Sequence, residues 1–108
     1  MALYDLTQLK EISGGDEGFI ESILETFKTD MPQMLSELKR AYQNGDLAEV
    51  GKKAHKMKSS IDFMGITSIK ETIRNIERQG KEEVDESLEE DIATVGQVLE
   101  SVLRELPV

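Results

Sequence analysis

Two stretches of this chain space their apolar residues at alternating intervals of three and four, and that pattern leaves little room for anything but packed α-helices. Leu47, Val50, Ala54, Met57, Ile61 and Met64 follow one another at spacings of 3, 4, 3, 4 and 3. Leu88, Ile92, Val95, Leu99, Val102 and Leu106 are spaced 4, 3, 4, 3 and 4. Such a stripe returns to one helix face at every turn, and it must be buried against other helices. No segment alternates in the manner of a strand, and none repeats another.

The remaining sequence punctuates into helices in the same way. A short first helix is expected over Asp5 to Ile12, with Leu6, Leu9 and Ile12 on one face and Ser13-Gly14-Gly15 as its stop. Asp16 is the candidate N-cap of a second helix. It carries Phe19, Ile20, Ile23, Leu24 and Phe27, then Met31, Met34, Leu35, Leu38 and Tyr42, and ends at Asn44-Gly45. Pro32 has no N–H to donate and is expected to kink or restart this helix near Asp30. Asp46 with Glu49 three residues later forms a capping-box-like start for the third helix, which Gly65 ends. Ser68 with Glu71 repeats the pattern ahead of Ile69, Ile73 and Ile76, with Gly80 as the stop. A charged linker, Lys81 to Glu86, leads to Ser87 and the last helix, closed by Pro107.

With 108 residues the chain reads as one domain spanning 1–108, large enough to bury a core unaided. Its fold class is all-α. Four amphipathic helices on short connections make an up-down-up-down antiparallel four-helix bundle, capped at one end by the short N-terminal helix. A coiled-coil dimer is the competing fold, but each helix is short and carries its own stripe.

Composition excludes several kinds of chemistry. There is no cysteine, so disulfides, thiol catalysis and thiolate metal sites are out. The formal net charge is -9, which argues against nucleic acid, whose phosphates call for a broad basic surface. No apolar run is long enough for a membrane span and the N-terminus lacks a signal pattern, so a cytoplasmic location is expected. A two-metal site in a bundle wants Glu-x-x-His on two helices, and this chain has one histidine with Lys52 in the position of the Glu, so no metal is expected. Gly14-Gly15 is not followed by the Gly-Lys-Ser/Thr of a phosphate-binding loop, so the chain is not expected to be a kinase or other enzyme that draws on ATP.

The one histidine, His55, lies within Gly51-Lys52-Lys53-Ala54-His55-Lys56-Met57-Lys58-Ser59-Ser60, a decamer with four lysines and no acid. His55 follows the seam residue Ala54 by one position, which turns it about 100° away from the buried stripe. Its neighbours along the helix face are Gly51 and Lys52 before it and Lys58 and Ser59 after it. Small residues thus stand four positions away on both sides, and lysines three positions away. A ring so flanked is open to another protein's concave active site, with cations ready to neutralise a phosphoryl group. Glycine inside a helix costs about 1 kcal/mol relative to alanine. Gly51 therefore needs a reason, either access to the histidine or close approach of a neighbouring helix. No second acid–base group at a triad-like spacing accompanies His55, so a hydrolase site is not expected.

Ala54-His55-Lys56-Met57-Lys58-Ser59-Ser60, continuing to Met64-Gly65, resembles the phosphoacceptor signature of histidine-containing phosphotransfer (HPt) domains, Ala-His-x-Leu-Lys-Gly-Ser/Ala followed by Leu-Gly. Asp16, Phe19, Phe27, Pro32, Leu35, Leu38, Ala41 and Gly45-Asp46 fall at family-like intervals, and the resemblance runs from Leu6 to about Gln79. Ser59 replaces the usual Gly and Met57 the usual Leu. The resemblance implies a monomeric carrier, without a cofactor of its own, whose His55 is phosphorylated at Nε2. It would take the group from the aspartate of one receiver domain and pass it to another, on a response regulator or a hybrid sensor kinase, with Mg2+ held by the receiver. Lys58 would steady the phosphate and Ser59 would admit the receiver. Gly51, Lys52, Lys56 and Asp62 complete the expected partner-binding face, Asp62 being an acid that weakens anion binding there. A helical-bundle adaptor that binds a receiver without carrying phosphate is the alternative.

Overall fold

The computed structural model describes residues 3–108, and among them there are helices and no strands. Four long helices, α2 (Glu17–Gln43), α3 (Leu47–Phe63), α4 (Lys70–Glu82) and α5 (Leu88–Glu105), form the bundle, and the short α1 (Thr7–Ser13) packs on α2. Each bundle helix packs on the next, and α5 returns to α2, which closes the ring. The longest extent of 42 Å is the length of α2 itself, since 27 residues at about 1.5 Å each span roughly 40 Å.

Both periodic stripes are interior. Val50, Ala54, Met57, Ile61 and Met64 on α3 meet Leu88, Ile92, Val95, Leu99, Val102 and Leu106 on α5 in one buried cluster, with Leu24, Phe27, Met31, Leu35 and Leu38 from α2 and Ile73 and Ile76 from α4. The start of α2 departs from expectation. Phe19 is exposed and Ile20 and Ile23 are only half-buried, because the core begins at Leu24. Ile12 on α1 is likewise exposed, leaving Leu9 as that helix's buried anchor.

Asp16 caps α2 by accepting from the Phe19 N–H at 3.2 Å, and Asp46 caps α3 by accepting from the Glu49 N–H at 3.1 Å. The first helix starts at Thr7 rather than Asp5 and takes in Ser13, and three boundaries further along also move. Helix α2 runs through Pro32 without restarting. Pro32 and Lys28, whose carbonyl the proline cannot serve, both face water, while Met31 and Leu35 hold the two sides to one seam. Ser68 does not cap α4. Thr67–Ile69 form a 3-10 turn in which Ile69, together with the preceding Ile66, is buried, so core packing rather than a cap sets this entry. Gly80 does not end α4, which continues to Glu82 and turns at Glu83 in the left-handed region at φ 53°.

Gly80 is instead spent on proximity. A Cβ at Gly80 would come within 2.4 Å of the Gly51 Cα and closer still to its nitrogen, and a Cβ at Gly51 would stand 3.0 Å from the Lys81 nitrogen. The backbones of α3 and α4 touch at this point because neither residue has a side chain. Of the two reasons open for Gly51, helix approach is the one the fold uses, and it brings α4 beside His55.

Candidate functional site

His55 projects from α3 with 63% of its side chain exposed. Its Nδ1 lies 2.5 Å from Oε2 of Glu77, a residue of α4. The Glu77 side chain is only 9% exposed, and its other oxygen, Oε1, accepts from the Lys58 Nζ at 2.9 Å. Lys81, one turn further along α4, brings its Nζ to 3.4 Å from Oε2. Burial by itself would push this carboxyl up. The hydrogen bonds from Lys58, His55 and Lys81 outweigh burial and hold it down at about 2.

That charge state fixes the ring. An ionised carboxylate only accepts, so the hydrogen between Glu77 and His55 belongs to Nδ1. In the neutral ring Nε2 then carries the lone pair. The arrangement thus yields an exposed imidazole, anchored at one nitrogen and nucleophilic at the other.

The other residues singled out in the sequence are placed variously. Lys52 is exposed and lines a cleft of about 480 Å³ with His55, Gly51, Gly80 and Lys81. Lys56 and Ser59 are exposed on α3. Asp62 is taken up by Arg74 of α4 through contacts of 2.5 and 3.0 Å, a two-pronged pair that lowers the Asp62 carboxyl below its usual range. Lys53 turns to Glu37 of α2 and Glu49, at 3.5 and 3.4 Å. The four-lysine decamer is therefore not one undivided patch: Lys53 braces the bundle and Lys58 is engaged with Glu77.

Glu77 is the residue that sequence reasoning missed, and with it the acid–base partner that His55 was expected to lack. Its separation of 22 positions from His55 resembles no triad spacing, and no local pattern marks it. The one available signal was a charged residue directly after Ile76, at the edge of the apolar stripe of α4.

On the α2 side, one turn beyond His55, a groove of about 360 Å³ opens between α2 and α3. Its walls include Ile23, Phe27, Met31, Met34 and Phe63, and Ser59 stands at its edge. Among the described residues no group of three or more His, Asp or Glu side chains is arranged to hold a metal ion. No described helix is long and apolar enough to cross a membrane.

In comparison with family models, the Hpt domain matches residues 22–106, that is, most of the chain and all four bundle helices apart from the first turns of α2. Neither the curated proteins nor the solved structures returned a match.

Proposed function

The chain belongs to the Hpt domain family, whose members carry phosphoryl groups in phosphorelays rather than acting as enzymes, and from that premise we propose that it is a histidine phosphotransfer protein with His55 as its phosphoacceptor. It takes the group from a receiver-domain aspartate and delivers it to another receiver, as a cytoplasmic monomer. The observation that carries this reading is the exposed His55 ring, held through Nδ1 on a buried, ionised Glu77.

Transfer then needs no proton movement on this chain. The Nε2 lone pair attacks the phosphorus of the aspartyl phosphate. The P–O bond breaks with its electron pair left on the receiver's carboxylate, and a P–N bond forms. The ring becomes cationic with its Nδ1 hydrogen still in place, facing the Glu77 carboxylate, which stabilises that charge. Delivery to the next receiver reverses the same steps. The divalent cation that assists the transfer sits on the receiver, and this chain supplies an oriented nucleophile beside lysines.

The apolar groove between α2 and α3 fits the role of docking surface for the receiver, since it begins at Ser59, one turn from His55. A partner seated on it reaches the ring without moving the bundle. Lys52 and Lys56 stand exposed beside the ring on α3, while Gly51 is buried against α4.

The test is phosphoryl transfer from a phosphorylated receiver. Acid-labile, base-stable label is expected on the wild-type protein and none on His55→Gln. Label that survived the substitution would remove the acceptor role from His55. Binding of a receiver without any label would leave the adaptor reading in its place.

A further inference from the structure

Lys58, the lysine that the family signature points to, is already committed in this structure. Its Nζ donates to Glu77 Oε1 at 2.9 Å and its side chain is 26% exposed. Lys81 is held differently. It reaches Glu77 Oε2 only at 3.4 Å, and its side chain is 66% exposed. That same oxygen meets the His55 Nδ1 at 2.5 Å, which puts the Lys81 ammonium within about 6 Å of the ring. The residue four positions before His55 is Gly51, which has no side chain to set beside the ring, and Lys81 lines the same cleft as His55 and Lys52.

We propose that Lys81 is a second phosphoryl-binding cation, parked on Glu77 while His55 is unmodified and drawn onto the phosphoryl oxygens when His55 is phosphorylated. The inference rests on the phosphoacceptor reading above. Its basis is a balance of charge. In the unmodified site one carboxylate faces two ammonium groups, so one of them is surplus to Glu77. A phosphoryl group brings close to two negative charges to a point within reach of both. The cation that moves at least cost is the one with the longer contact and the greater exposure, and that is Lys81. Rotation about its side-chain bonds is sufficient. Lys58 then keeps Glu77 in place, and Glu77 keeps the ring in place, throughout the transfer. Lys52 and Glu83 are the remaining charged residues of this cleft, and neither touches Glu77.

Two roles for Lys81 need separating: contact with phosphate, and mere neutralisation of Glu77. Lys81→Met and Lys81→Arg are made in the wild-type and in the Glu77→Gln backgrounds, and each protein is labelled from a phosphorylated receiver. Lys81→Met is expected to slow labelling of His55 roughly five- to tenfold and to shift the 31P resonance of the phosphohistidine, with Arg restoring most of the rate. The loss should persist in the Glu77→Gln background, where there is no carboxylate left to neutralise. If Lys81→Met labels at the wild-type rate, or if its defect vanishes beside Glu77→Gln, the second-cation role is wrong. Failure of the wild type itself to take label at His55 would overturn the acceptor reading as well. Thermal melting of the unphosphorylated variants shows that the rates report on the site. Lys81→Met is expected to lose only a little stability in the wild-type background, because Lys81 is the more exposed and more distant of the two lysines on Glu77, and none in the Glu77→Gln background.

Discussion

Glu77 holds a charge where a carboxylate is ordinarily penalised, and three donors make the difference. The consequence for stability has a definite sign. A carboxyl whose folded-state value lies near 2, below the ordinary 4.5, adds stability that is fully present above about pH 4.5 and is lost as the pH falls towards 2. The contribution is on the order of 2 kcal/mol, reduced because Lys58 and Lys81 reach water. Denaturant melts of wild type and Glu77→Gln should therefore converge between pH 4.5 and pH 2, the wild type losing stability faster. Parallel curves across that window would mean that the network does not hold the carboxyl down. His55 itself could be found in the sequence because its surroundings are local: Gly51, Lys52, Lys58 and Ser59 all lie within four positions. Glu77 could not, because only the docking of α4 on α3 makes it a neighbour.

Among the helices, α3 and α4 make the tightest pair, and two glycines allow it. An added methyl at Gly80 meets the Gly51 backbone at distances real structures do not tolerate, whereas one at Gly51 meets Lys81 and Gly80 at 3.0 and 3.1 Å. Gly80→Ala should thus cost about 3 kcal/mol and Gly51→Ala about 1 kcal/mol. Equal costs in chemical denaturation would contradict the close approach. Gly80→Ala should also draw Glu77 away from His55, visible as a loss of the Nδ1–H signal in NMR. Local sequence indicated a stop at Gly80, since a glycine after a helical stripe ordinarily marks one. It ends nothing here because it lies against Gly51, and the turn falls to Glu83 at φ 53°. Ser68 failed as a cap for a similar reason: burial of Ile66 and Ile69 claimed the segment for a 3-10 turn.

For the molecule as a whole, the net charge of -9 keeps most of the surface acidic while Lys52, Lys56 and Lys81 stay exposed around His55. In the proposed function, docking of a receiver depends on the apolar groove as well as on charge. Met34→Glu, on the groove wall and only half-buried, should weaken receiver binding about tenfold in titration calorimetry. The chemical lifetime of phosphorylated His55 should not change. Unaltered affinity would move the docking face elsewhere. The stripes at 3 and 4 spacing determined by themselves that this chain is helical, which faces are buried, and that His55 lies off the buried seam, since those properties follow from rotation about a single helix axis. Which carboxylate meets the ring, which lysine is bound and which is loose, and where the groove opens were decided by how separate helices approach one another. That geometry depends on pairs such as Gly51 with Gly80, far apart in sequence, and no periodicity along one helix encodes it.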